Sequence, residues 1–456
     1  MSEASTIARQ NESKRRRNAL AWTVLIVFGL LSLLACIVLY GEARFRGEIN
    51  ARHLRGQRIL PEDFRWPAVP DDQNAATYLS AAADQLAMNA HQEWLIDHVD
   101  NGPLVPAQIS CANRLLADKA TALQAIRKAR ELDRVNWHVK IISPVFELTL
   151  LSHWGKQRRN VDALHLIAVA EHETGREAEA IEHIRDILGV ARALEREPSG
   201  IVGHLVANAL ESVACDVGMR ISPSVVVDSS TARDQLNALI DELLDEQVSV
   251  KGLHLGIEWD RMMMTDELRE SSIRPLPRWL QRQVGVWQSV PLMHAYDEIA
   301  LASEGTDWHT IETKLAHAQT SKNGFAGIAL NSAPRALENQ MRVTCFRRIT
   351  ATAMALRMYQ LDHGGQWPAT LQELVPRYLK SMPIDPFSPA HAAIGYLPGD
   401  PPALYSVGVN EVDDHGDRTG AMTTHGYDPW RSPDAVFPLG GVQRNEPWDP
   451  AGPSKD

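Results

Sequence analysis

The chain has 456 residues, of which 44% are hydrophobic and 23% charged. This excludes a wholly disordered chain, a collagen-like chain and a protein that crosses a membrane many times. The length exceeds what one core organises, so two or more soluble units are expected. Lysine and arginine number 46 against 57 acidic residues, a formal net charge of -11, and nucleic acid is therefore not an expected partner.

Residues 1–18 read as a basic tail that ends in Lys14-Arg15-Arg16-Arg17. Residues 19–40 then contain no charged side chain, close to the roughly 20 apolar residues that span a bilayer as a helix. Trp22 and Tyr40 stand near opposite ends, where aromatic rings favour the interface. Arg44, Arg46, Arg52, Arg55 and Arg58 follow on the far side, but the dense cluster before the run favours the tail inside and the bulk of the chain outside. The apolar run is longer than that of a cleaved signal peptide, and no AxA site follows it, so an uncleaved signal-anchor is expected. Leu33-Leu34-Ala35-Cys36 resembles a lipobox, yet residues 37–40 continue the apolar run, and Cys36 reads as a lipid-facing small hydrophobe. Of the four cysteines, Cys111, Cys215 and Cys345 remain outside the span; they allow at most one internal disulfide, which the sequence does not choose.

Residues 41–70 are arginine-rich and interrupted by Pro61, Pro67 and Pro70, which suggests a stalk. A helical domain is expected over 71–330. It opens with Asp71-Asp72 before an alanine-rich helix at 74–89, followed by an amphipathic helix over 112–133. Residues 162–197 form a helical hairpin broken at Thr174-Gly175-Arg176 and stopped by Pro198. The hairpin resembles one tetratricopeptide-like unit, but no second copy lies about 34 residues away, so an irregular helical domain is preferred to a peptide-binding array. Helices are also expected over 230–250 and 257–269, with breaks at Pro275, Pro277 and Pro291.

After Pro334, apolar residues from Leu337 to Tyr359 recur at helical spacing until Asp362-His363-Gly364-Gly365. A short helix at 370–375, Asp385-Pro386-Phe387, two strand-like runs at 394–397 and 403–409, and an acidic loop NEVDDHGD at 410–417 come next. Residues 441–456 read as a disordered tail. The run LRMYQLDHGGQWPATLQELVPRYLKSMPIDPF, with YL and ALYSVGVNEVDDHGD after it, resembles the globular head of the major pseudopilin of type II secretion, general secretion pathway protein G. The resemblance covers roughly 80 residues of the expected module at 334–440, a minority of the chain, and rests on several ordered elements. It implies a small α+β head with a calcium loop. The whole arrangement also resembles large membrane-anchored bacterial proteins that end in this module. No prepilin processing site precedes the span, and a long helical region separates span from head, so an ordinary pilus-subunit role is not expected.

Calcium takes six to eight oxygen ligands. In this loop Asn410, Asp413, Asp414 and Asp417 are the candidate metal ligands that the resemblance implies, against the alternative of a solvated acidic turn. The 17 histidines show no chelating spacing: His91 and His98, like His165 and His172, would lie about 10.5 Å apart along a helix. HExxH, GxSxG, GxxxxGK[ST] and GxGxxG are missing, Glu258 and Asp260 do not face each other, and Glu258 with Arg261 reads as a surface pair. Met262, Met263 and Met264 read as packing.

The expectation is a mainly α chain: one transmembrane helix, an irregular helical domain and a small α+β pseudopilin-head-like module. It would sit in a bacterial inner membrane, N terminus cytoplasmic and bulk periplasmic, as an assembly or interaction protein with envelope protein partners. An envelope hydrolase whose site no motif reveals, and a helical-hairpin peptide-binding module, are the alternatives.

Overall fold

The computed structural model describes residues 3–64, 66–99, 102–139, 141, 151–196, 200–270, 278–318, 323–423 and 426–440. The tail at 441–456 and Pro198, Pro275 and Pro277 lie outside the described residues. Helix α1 (Glu3–Leu54) carries the apolar run, exposed along nearly its whole length and long enough to cross a membrane. It does not end at Tyr40. It continues for nearly four further turns, and the side chains of Phe45, Ile49 and Arg52 are buried there. The expected stalk is thus helix to Leu54, then a short connection whose Ile59 and Phe64 are also buried. The helix closes at the left-handed Gly56 (φ 73°), where the Gln57 N–H returns to the Arg52 carbonyl, and the prolines that suggested a stalk come only after its apolar seam has been buried against the body.

The body follows as α2 (Ala75–Gln85), α3 (Ala90–Asp97), α4 (Pro106–Asp118), α5 (Ala120–Arg130), α6 (Leu151–Glu173), α7 (Glu177–Glu195), α8 (Gly200–Ile221), α9 (Ser230–Leu244), α10 (Gln247–Glu270), α11 (Arg278–Ser303), α12 (Trp308–Ala316) and α13 (Gly324–Asp362). Local chemistry sets many of these starts: Asn74, Asn89, Ser229 and Asp307 each accept a backbone N–H as N-cap. The amphipathic run at 112–133 is two helices rather than one, with Lys119 as the single-residue break that lets Leu115 and Leu123 reach the same core. The hairpin is α6 and α7, turned at Gly175, whose φ of 79° favours glycine. Helix α7 is the central helix, covered by α5, α6, α8 and α9.

Two prolines lie within helices instead of ending them. Pro291 sits inside α11 between the buried Val290 and Leu292, and Pro334 inside α13 beside the buried Ala333. The packing of each helix on the core, through Val290 and Leu292 in α11 and Ala333 and Leu337 in α13, offsets the roughly 3 kcal/mol that an interior proline costs.

Residue 334 is therefore no boundary. Helix α13 packs against α8, α9 and α11, and the tail shares the same hydrophobic core. That tail holds a 3₁₀ turn (Leu371–Leu374) and a three-stranded antiparallel sheet in the order β1 (Gly395–Leu397), β2 (Ala403–Ser406), β5 (Ala435–Pro438). A two-stranded ribbon, β3 (Met422–Thr423) and β4 (Gly426–Tyr427), lies between β2 and β5 in sequence. Phe346 of α13 stacks on Phe437 of β5 at 5.2 Å, which seats the sheet on the long helix. Strand β2 stops at Ser406 because the buried Asp385 carboxylate accepts from the Ser406 hydroxyl and the Val407 N–H, both at 2.8 Å.

Candidate functional site

The acidic loop leaves β2 at the left-handed Gly408 and turns again at Glu411 and His415, with φ of 59° and 58°. Gly416 follows with φ of 82°, a backbone conformation that favours glycine. Asn410, Asp413, Asp414 and Asp417 are all exposed, and each is engaged locally. Asn410 donates to Asp414 at 2.9 Å; Asp413 accepts from the Tyr405 hydroxyl and the His415 N–H; Asp417 accepts twice from Thr419. The Thr419 contacts hold the Asp417 carboxyl below its usual range.

The residue that organises the loop is Asp434, which the sequence reading missed. It is fully buried at the entry to β5 and accepts from the N–H groups of Asp414, Gly416 and Asp417 at 2.5–3.3 Å. Burial lifts its pKa above the ordinary value, against the lowering effect of those three donors. Among the described residues no group of three or more His, Cys, Asp or Glu is arranged to hold a metal ion. In this arrangement Asn410, Asp413, Asp414 and Asp417 turn to separate partners, and the buried Asp434 is spent on backbone amides. Helix α12 reaches the loop through His309, whose Nδ1 lies 2.8 Å from Glu411; that contact raises the His309 pKa.

A second cluster joins α1 to the body. Arg52, wholly buried, pairs with Glu48 at 3.0 Å and with Asp297 of α11 at 2.6 Å. Arg261 of α10, nearly as buried, reaches the same Asp297 at 2.8 Å. It is not the surface partner of Glu258, which instead binds Arg58 through Nε at 3.1 Å. Below this ionic layer Phe45, Ile49, Val286, Val290 and Met293 form a separate apolar cluster. Gly41 lies against Trp287, where a Cβ would be 2.9 Å from the indole nitrogen, so the helices approach closely at the end of the apolar run. One signal in the sequence pointed here: after the span, Phe45, Ile49 and Arg52 keep the spacing of one helix face.

The core itself carries a polar chain. His204 of α8 lies 2.8 Å from Glu195 of α7; Asn208 joins His204 to Gln340 of α13, which meets Ser249 of α10 and Thr344. Burial lifts Glu195 to about 7 despite His204, whereas Glu195 raises His204 against its own burial. Arg347 of α13, paired with Glu211 at 2.9 Å, donates to the carbonyls of Glu242, Leu243 and Asp245 at the end of α9. These groups are sealed in the interior and serve helix packing.

Two histidines singled out by spacing bond locally: His98 bonds the Trp94 carbonyl, and His172 bonds Glu177 and Ser224. Met262 is buried beside Trp259 and Phe64, with Met263 packed against that cluster. Cys111, Cys215 and Cys345 are free and buried, and Cys36 is free and exposed on the apolar run. Comparisons with family models, with curated proteins and with solved structures give no match.

Proposed function

We propose that this chain is a single-anchor membrane protein whose helical body acts as an assembly or interaction element on the extracytoplasmic face of a bacterial inner membrane. The observation that carries the reading is the change in α1 at Gly41. Before it the helix is apolar and exposed on all sides, as lipid favours; after it the same helix is clamped to the body by Phe45, Ile49 and Arg52. An apolar helix bared to water over that length is a liability for a soluble protein. The rigid joint fixes how the body stands on the bilayer, which suits a part that presents a surface to envelope partners. Lys14-Arg15-Arg16-Arg17 before the run supports a cytoplasmic tail. The order of long helix, Asp385-Pro386 element and antiparallel strands supports kinship with pilus-like envelope machinery, though here the long helix belongs to the body's core.

The test is topology and assembly in cells. The chain is expected to stay in the membrane pellet after alkaline carbonate, a C-terminal alkaline phosphatase fusion to be active, and the protein to migrate in mild detergent as a discrete complex larger than itself. Release by carbonate would remove the anchor. An inactive phosphatase with a fluorescent cytoplasmic fusion would reverse the orientation, and a monomer with turnover on hydrolase substrates would replace interaction by catalysis.

A further inference from the structure

The joint fixes more than an attitude; it fixes depth. Gly41 meets Trp287, Glu48 lies 3.9 Å from His294, and Arg52 binds Asp297, so the pairings advance in the same direction along both chains. Helices α1 and α11 are therefore parallel, and the residues of α11 that precede Trp287 run back beside the last turns of the apolar run. From Arg278 to Trp287 the helix rises about 13 Å. The exposure of α1 records this neighbour: Leu34 and Ile37 are 39% and 44% exposed, whereas Phe28, earlier in the run, is 69% exposed. A second observation concerns Arg282. Its Cα lies on the membrane side of Trp287, yet its guanidinium reaches back to Glu42, beyond the end of the apolar run, at 3.3 Å. That is the direction in which arginine snorkels, with the stem along apolar surface and the charge toward the headgroups. Val284 is exposed at the same level, and Arg269 at the end of α10 lies over the Phe45 ring at 5.6 Å.

We propose that the first turns of α11 are a second membrane contact, lying in the headgroup layer of the bilayer that α1 crosses, so that the body is seated on the lipid surface. The occupant of this face is phospholipid: Val284 for the acyl boundary, Arg282 for the phosphates. The inference rests on the reading of α1 as an anchor, and the experiment separates the two.

The full-length chain, in a Cys36→Ser background, carries one spin label at Val284→Cys, Phe28→Cys or Val250→Cys. It is reconstituted in vesicles of phosphatidylethanolamine and phosphatidylglycerol. Collision with oxygen, which concentrates in lipid, is compared with collision with a water-soluble nickel chelate. Position 250, exposed at the opposite end of α10, reports water. The expected result is an oxygen-to-nickel ratio at 284 severalfold above that at 250 and below that at 28. A ratio at 284 equal to that at 250, with 28 still lipid-like, overturns the second contact and leaves the anchor. A water-like ratio at 28 overturns both.

Discussion

Asp297 of α11 binds two buried arginines at once, Arg52 from α1 and Arg261 from α10, through contacts of 2.6–2.8 Å. The arrangement joins three helices through one carboxylate that is itself a third exposed. Arg52 has Glu48 as a second partner, whereas Arg261 otherwise donates to the Arg58 carbonyl. Asp297→Ala removes the carboxylate that two buried guanidinium groups share, and breaking such a pair costs about 3 kcal/mol. The variant is expected to melt lower and to be cut faster by trypsin at Arg55 and Arg58, with Asp297→Glu recovering part of both. Unchanged trypsin sensitivity would show that the apolar cluster alone holds the joint.

Arg347 illustrates a different use of buried charge. It donates to three carbonyls at the C-terminal end of α9, where a cation complements the helix dipole, while Glu211 neutralises it. Arg347→Met is expected to cost about 3–5 kcal/mol in denaturant unfolding, because Glu211 and the carbonyls are left without partners. Arg347→Lys recovers little, since one ammonium does not span four acceptors. The double variant Arg347→Met with Glu211→Leu is expected to be more stable than Arg347→Met alone.

These two clusters mark the limit of what the chain declares along its length. The apolar run, the hairpin turned at Gly175 and the long helix ending at Asp362 were legible, because periodicity and capping are local. Strand β5 was missed: four residues give too short a pattern, and its support comes from β2 and from the Phe346 ring. Pro291 and Pro334 misled because their helices are held by packing that local propensity does not record. Arg52 finds Asp297 only through the fold, and Asp434 serves a loop that precedes it by many residues.

The Glu195–His204 pair gives a pH signature. In the folded chain Glu195 holds its proton up to about 7, because of burial, while in the unfolded chain it releases it near the ordinary glutamate value of 4.5. His204 is raised as well, so the folded state binds more protons than the unfolded one, and this contribution to stability falls as pH rises. Glu195→Gln removes the carboxyl's own titration and leaves His204 without its charge partner, and both changes favour the variant as pH rises. The variant is expected to be clearly less stable than the parent at pH 5, with the gap narrowing toward pH 8 in urea titrations. A gap that widens with pH would mean that the pair is not coupled as the geometry indicates.

The acidic loop supplies the last prediction. Asp434 satisfies three backbone donors from a fully buried position, and replacing it leaves those N–H groups without their acceptor. Loss of a buried acceptor costs about 1–3 kcal/mol. Asp434→Ala is therefore expected to lower the melting temperature and to speed hydrogen exchange at Gly416, whereas Asp413→Ala and Asp417→Ala, on exposed carboxylates with local partners, change melting little. Since these carboxylates turn to separate partners, excess calcium and chelator are expected to give the same melting curve. An ion bound only by the folded state raises stability with its concentration. A calcium-dependent rise abolished by both Asp413→Ala and Asp417→Ala would show that the loop rearranges around the ion, with Asp434 then positioning its backbone for metal capture.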